Sequence, residues 1–315
     1  MTQAGPIVDI QEVQQAVQQY FYTIVNQQPG EVGTCKKIVN FGCLHPDWAD
    51  LCVVFGKNTG VFLHEMVLKE HQLLTHLQAQ GYPIVKVFGE AFNVQPNQER
   101  FGMIESHIPG VFIEAKTPAP TNLLLTAALL GIPCKAQEGW LAFNRKNVMD
   151  KIALKLSNPQ IFANFQQKAQ TLALAFENLI TQQEANHEKI HDLQMIIRDD
   201  GSLTVIDPLE VITVSPEGSM HSLLEGEALN QADLHLFSQK TRQWLEQAKQ
   251  FCNRAATTTN NASILGECAS FGQGPLIFTS KADPHGRSPL NRLKARGTAQ
   301  DTDPSVQGTM KNSPN

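Results

Sequence analysis

Two overlapping segments carry residue types whose spacing could do chemistry. The first, His187-Glu-Lys-Ile-His191, is a literal H-E-x-x-H. On a helix its histidines would share one face, one turn apart, and hold zinc through neutral imidazoles while Glu188 polarises a water. Such a short pattern depends on its context. Gln182-Gln-Glu-Ala-Asn186 precedes it and Asp192-Leu-Gln194 follows, polar on one side and strand-forming on the other. Only Glu210 and His221 offer themselves as a third ligand. Solvent-facing histidines at a helix end are the plainer reading. The second segment is His191-Asp192-Leu193-Gln194, then Arg198-Asp-Asp-Gly201, then Val205-Ile206-Asp207-Pro208. Turn residues between the apolar runs 193–197 and 203–206 predict a β-hairpin. Read alone, it is a hairpin with incidental carboxylates.

The elements around these groups follow from periodicity. Ile10, Val13, Val17 and Phe21 predict a helix over residues 8–21. Strands are predicted at 22–25, 34–41 and 51–55, with a turn-rich stretch at 26–33. A helix over 62–77 is stopped by Gly81-Tyr-Pro83. Strands at 84–88 and 101–105 follow, with a polar loop at 93–99. After Gly110 the chain reads as mostly helical. Residues 121–134 form a buried core helix too short to span a membrane. The best-patterned helix covers 159–183, and a last one 229–251. From Ala255 onward Thr, Asn, Gly, Ser and Pro dominate, predicting a largely disordered tail with a short ordered piece at 274–278.

This order resembles the protein kinase fold: α+β and bilobal, a small lobe of five strands and one helix, then a helical large lobe. The resemblance spans about residues 22–212, about three fifths of the 315-residue chain. It implies an N-terminal helix at 1–21, a small lobe at 22–110, a truncated large lobe at 111–254 and the tail at 255–315. ATP and Mg²⁺ are the implied ligands. Residues 26–33 stand where a glycine-rich loop covers phosphates, with Gly30 and Gly33 letting backbone N–H groups approach. Lys57 stands where kinases place the phosphate-gripping lysine, and Glu70 where its helix partner belongs. Lys36, Lys37 and Glu65 substitute for them in a shifted register. Phe101-Gly-Met-Ile-Glu-Ser-His-Ile-Pro-Gly110 resembles the fifth strand and hinge. There, backbone near Glu105 and His107 would bond adenine, with Ile104 as gatekeeper.

By the same resemblance, Asp192 is the catalytic aspartate, while Asp207 and Gln194 hold magnesium. The pattern departs from the family in three ways. His191 directly precedes Asp192, Gln194 replaces the usual Asn in a shortened loop, and Asp207 is followed by Pro208-Leu209. Beyond Asp207 there is no Ala-Pro-Glu. That truncation resembles the minimal effector kinases that bacterial pathogens inject through type III secretion. The implied activity is phosphoryl transfer to a hydroxyl of a protein, a host protein included. The implied place is a host cytosol, or otherwise the cytoplasm. Small-molecule phosphotransfer is a close relative. A pseudokinase acting as a binding module is favoured by the incomplete glycine loop and by Ile197, where an uncut loop would carry Asn. The zinc metalloprotease on His187, Glu188 and His191 is the third reading.

Composition bounds these readings. A net charge of −5 and pI near 6.1 supply no basic field for a nucleic-acid partner. Six cysteines without a C-x-x-C pair argue against a zinc ribbon or a disulfide framework and favour a reducing compartment. No basic segment followed by an apolar run opens the chain, so a general-pathway signal peptide is not expected. The Gln-rich start is compatible with a secretion-system substrate.

Overall fold

A computed structural model describes residues 8–27, 31–32, 36–40, 45–56, 61–95, 100–115, 120–135, 138–191, 193–224 and 230–270. The apolar spacing near the N-terminus builds helix α1, Ile10–Gln27. It runs past residue 21 through a kink at Tyr20 (φ −109°, ψ 16°), so the strand expected at 22–25 is helical. Tertiary contacts outweigh the strand propensity of Ile24-Val25. Phe21 packs edge-on against Phe55 at 5.1 Å, and Gln95 donates to the Tyr22 hydroxyl.

Strands β1 (Glu31–Val32), β2 (Lys36–Asn40), β3 (Leu51–Gly56), β4 (Val87–Gln95) and β5 (Arg100–Ser106) form an antiparallel sheet in the order β1-β2-β3-β5-β4. Helix α2, Val61–Ala79, falls between β3 and β4 in the chain. The two-residue period of a strand gives β3 two buried faces. Leu51, Val53 and Phe55 join Val13, Val17 and Phe21 of α1, together with Val94 and Ile104. Val54 joins Leu73, Leu74 and Leu77 of α2, together with Met103. The N-terminal helix is therefore one layer of the sheet's packing rather than a separate unit.

The glutamines of α1 have a structural use. Gln14 and Gln18, one turn apart, donate to the carbonyls of Glu90 and Asn93 at 3.1 and 2.8 Å. Strand β4 is the edge of the sheet, so these amides occupy part of a row of backbone acceptors that the ladder leaves open. Gly89, at φ +68° beside a register shift, lets the helix approach; a Cβ there would stand 3.1 Å from Ile10. The strand expected at 84–88 is displaced into β4 because residues 83–85 are used elsewhere. Val85 N–H donates to Val205 and Val205 N–H to Pro83, forming a short parallel bridge.

The rest of the unit is mixed. Strand β6, Val111–Glu114, leads to α3 (Thr121–Leu129), α4 (Glu138–Leu156) and α5 (Pro159–Ala185). Helix α3 is buried from Leu123 to Leu129, as its sequence predicts. Asn158 caps α5, accepting from the N–H groups of Gln160 and Ile161, with Pro159 in the first turn. Strands β7 (Glu188–His191), β8 (Gln194–Ile197), β9 (Leu203–Ile206), β10 (Glu210–Val214) and β11 (Met220–Ser222) make two three-stranded sheets, β6-β8-β9 and β11-β10-β7. Helix α6, Gln231–Thr257, packs along α5, and α7 is Asn261–Ala269. The helical region thus extends past the boundary expected at 254: Ala255, Ile264 and Cys268 are core residues. Residues 271–315, including the piece expected at 274–278, lie outside the described residues. The described cysteines, Cys52, Cys134, Cys252 and Cys268, are free thiols. Among the described residues no helix is long and apolar enough to cross a membrane.

Candidate functional site

The chain passes between the two small sheets twice, from β7 to β8 and, through residues 207–209, from β9 to β10. The registers set the ends of these passages side by side. Glu210, at the start of β10, is opposite His191 at the end of β7. Gln194, at the start of β8, is opposite Ile206 at the end of β9. The hairpin turn itself is at the far end, where Gly201 N–H donates to Arg198 at 3.0 Å. Gln194 also faces Glu114 across the β6–β8 ladder, and the Leu193 carbonyl accepts from Ala115 N–H at 2.8 Å. The hairpin predicted from sequence is present, and Asp207 directly follows Ile206, the residue opposite Gln194.

Asp207 sits at φ +46°, one of two non-glycine residues at positive φ among the described residues. The left-handed region costs an L-residue roughly 1–2 kcal/mol, somewhat less for Asp. Pro208 follows, and a residue before proline is biased to extended conformations. The conformation therefore opposes two local preferences and is held by its surroundings, a pattern that clusters at functional sites.

Helix α2 faces this region with polar groups. Glu70 is 5% exposed, whereas Glu65 on the preceding turns is exposed, so Glu70 is the inward carboxylate of the two. Lys69 Nζ lies 2.6 Å from Glu210 Oε2, and His76 Nε2 lies 2.6 Å from Glu188 Oε1. Lys69 and His76 went unnoticed in the sequence reading, and Glu210 entered only as a zinc ligand. Their one signal was a seven-residue spacing around Glu70. His191 stacks on Phe237 of α6 with ring centroids 4.2 Å apart. Burial pushes its imidazole down to about 4; Glu210 pulls it up slightly, and Lys240 adds to the lowering.

Other expected positions fare differently. Gly30, Gly33, Lys57 and Asp192 lie outside the described residues. The alternative lysines are on β2, with Lys36 opposite Gly56 and Lys37 opposite Phe55. Glu105 is buried in β5 between Cys52 of β3 and Val87 of β4. His107 is exposed, and its N–H donates to the Asp50 carbonyl at 2.8 Å. An adenine edge bound by that amide would have to break this bond. Ile104 belongs to the cluster under α1, while Met103 faces the α2 side. The two residues are on opposite faces because alternate strand residues point to opposite faces, so Ile104, expected as gatekeeper, faces away from α2.

The zinc reading fails on local geometry. Glu188–His191 is a strand and His187 is at φ 52° in the preceding turn. Four residues of strand separate two positions by about 13 Å, where a helical turn would give about 6 Å. Glu188 is engaged by His76, and His191 by Phe237. His221, on β11, has its Nε2 beside Ser219 Oγ at 3.3 Å. Among the described residues, no three His, Cys, Asp or Glu converge as a metal site.

No known protein-family description matches the chain, and no curated protein matches it at a significant level.

Proposed function

We propose that this chain is a protein-kinase-like phosphotransferase that uses ATP and magnesium to phosphorylate a protein hydroxyl. The observation that carries the reading is the register that sets Gln194 opposite Ile206, the residue before Asp207, and Glu210 opposite His191, the residue before Asp192. The sheet order β1-β2-β3-β5-β4 and the α2 insertion between β3 and β4 agree with a kinase-like small lobe. The helical region from α3 to α7 would serve as a shortened large lobe.

The donor set fits magnesium. Asp207 offers a carboxylate and Gln194 an amide oxygen, both hard ligands, and a nucleotide-bound Mg²⁺ takes few protein ligands and keeps waters. Bound there, the ion would neutralise charge on the transferring phosphate. The residues of the chain then have separate tasks. Asp192 orients the acceptor hydroxyl and takes its proton as the phosphoryl group leaves ADP for that oxygen. Glu70 holds the phosphate-gripping lysine, Lys57 or the β2 lysine Lys36. Gly30 and Gly33 cover the phosphates with backbone N–H groups.

A binding module without catalysis is the second reading, and one observation favours it: the His107 amide is committed to Asp50. Delivery into a host cytosol is a further proposal. It rests on the resemblance alone, since Gln14 and Gln18 have a structural use in capping β4. A translocation reporter fused to the full chain that stays silent in host cells would remove it.

The test of the function is a thermal shift with ATP and magnesium, paired with transfer of radiolabelled phosphate. At a hundredfold excess over the dissociation constant, ligand binding adds about 2.7 kcal/mol. Asp207→Ala removes the magnesium-dependent part and the labelling, and His187→Ala removes neither. Binding retained without labelling selects the binding module. Stoichiometric zinc lost on His187→Ala, with no response to ATP, overturns the assignment.

A further inference from the structure

We infer that Lys69 and His76 are positioning residues that fasten α2, and with it Glu70, to the strands entering Asp192 and leaving Asp207. The inference rests on the proposed phosphotransfer. Lys69 precedes Glu70 directly and reaches Glu210, three residues past Asp207. His76 reaches Glu188, at the start of the strand that ends one residue before Asp192. The spacings match. Seven helical residues advance about 10 Å along the α2 axis. Glu188 and His191, the residue opposite Glu210, are three strand positions apart, also about 10 Å. Helix and ladder therefore meet at two points with one common repeat, which fixes both the distance and the sliding register between them.

The burial of the acceptors gives these bonds their effect. The Glu188 and Glu210 side chains are only 7% and 6% exposed, while Lys69 and His76 are 38% and 27% exposed. A buried carboxylate with its partner removed is costly, so α2 is held where the partners are supplied. Surface ion pairs lack this property. A helix bearing Glu70 that shifted by one turn would take Lys69 and His76 away from both carboxylates, leaving Glu210 only its bond from Val211 N–H and Glu188 only Tyr82. The two pairs act as a latch that keeps the phosphate-gripping side of the site aligned with the carboxylates.

The test uses the full chain and the variants Lys69→Met, Lys69→Arg and His76→Phe. Two quantities are read: kcat and KM for phosphoryl transfer with ATP and magnesium, and hydrogen exchange of the α2, 193–194 and 209–211 amides. The latch predicts that Lys69→Met lowers kcat at least tenfold at saturating ATP, with KM changed less, and that Lys69→Arg restores it to within about threefold. Exchange at 209–211 rises together with that of α2 in Lys69→Met and in His76→Phe. A kcat unchanged in Lys69→Met, or Lys69→Arg as impaired as Lys69→Met, overturns the inference. If the wild-type chain transfers no phosphate, the proposed function falls and exchange alone decides. Coupled exchange of helix and strands then upholds the latch, and exchange confined to α2 or unchanged throughout overturns it.

Discussion

The imidazole of His191 stacks on the ring of Phe237, with centroids 4.2 Å apart and planes inclined by 20°. The aromatic face and the surrounding core leave its Nδ1 buried without a hydrogen-bond partner. The histidine is therefore neutral in the folded protein, with its pKa pushed down from 6.5 to about 4 by burial. The unfolded chain binds a proton near 6.5 that the folded chain refuses, so stability rises with pH between about 4 and 6.5. The His191 contribution is complete above about pH 7 and is lost as pH falls, on the order of 2–3 kcal/mol by pH 4. Urea unfolding from pH 4 to 8 for the wild-type chain and His191→Phe checks it. The gap between them should shift in favour of the variant below pH 6.5. A gap independent of pH refutes the buried neutral imidazole.

Asp207 supplies a second expectation, because its backbone strain and its chemistry separate by substitution. At φ +46° a glycine is at ease, whereas alanine keeps the left-handed cost without the carboxylate. Asp207→Gly should therefore be more stable than Asp207→Ala by about 1 kcal/mol, with both variants equally deaf to magnesium and ATP. Chemical denaturation and the thermal shift measure the two effects independently. A Gly variant no more stable than the Ala variant would mean that the strain is absent.

Much of the frame was legible, for physical reasons that differ by element. The helix at 159–183 buries one apolar face, which leaves a helical period in the sequence, while the strands at 51–55 and 203–206 are buried on both faces and read as short apolar runs. The hairpin was legible because Asp-Asp-Gly has few other uses between two apolar runs. Residues 22–25 were misread because Ile24-Val25 favours strands locally, while the contacts of Phe21 and Tyr22 are distant in sequence. That Ile104 faces α1 rather than α2 was not legible, because a one-residue change of face leaves no local trace. The candidate site divides in the same way. Asp207 and Gln194 stand out by motif. The Lys69–Glu210 bond spans 141 residues, and no local pattern announces it.

The glutamines of α1 give a third prediction. Gln14 and Gln18 occupy backbone carbonyls on the open edge of β4. Replacing both by alanine removes two exposed hydrogen bonds, together worth about 1 kcal/mol. It also opens an edge acceptor row to other chains. The double variant should unfold at lower urea, show faster exchange in β4, and self-associate at concentrations where the wild-type chain stays dispersed. Light scattering and hydrogen exchange read both effects. Unchanged stability and association would mean that the α1 glutamines are dispensable for the fold, and would reopen a purely targeting role for this segment.

Two glycines at positive φ provide the last prediction, because one is crowded and the other is open. A Cβ on Gly110, at φ +154°, would lie 2.4 Å from the Ile197 carbonyl oxygen and 2.6 Å from Ile196 Cγ2. A Cβ on Gly131, at φ +65°, would meet nothing within 4 Å. Gly131→Ala therefore reports the backbone cost alone, about 1 kcal/mol. Gly110→Ala adds a clash with a neighbouring backbone, which can be relieved only by moving β6 away from β8, and should cost about 2–4 kcal/mol. That displacement acts on the site, because Val111 and Glu114 pair with Ile197 and Gln194 along the same ladder. At a temperature where both variants are folded, Gly110→Ala should weaken the magnesium-dependent response to ATP, and Gly131→Ala should leave it at the wild-type level. Equal responses in both would show that the β6–β8 ladder does not set the position of Gln194.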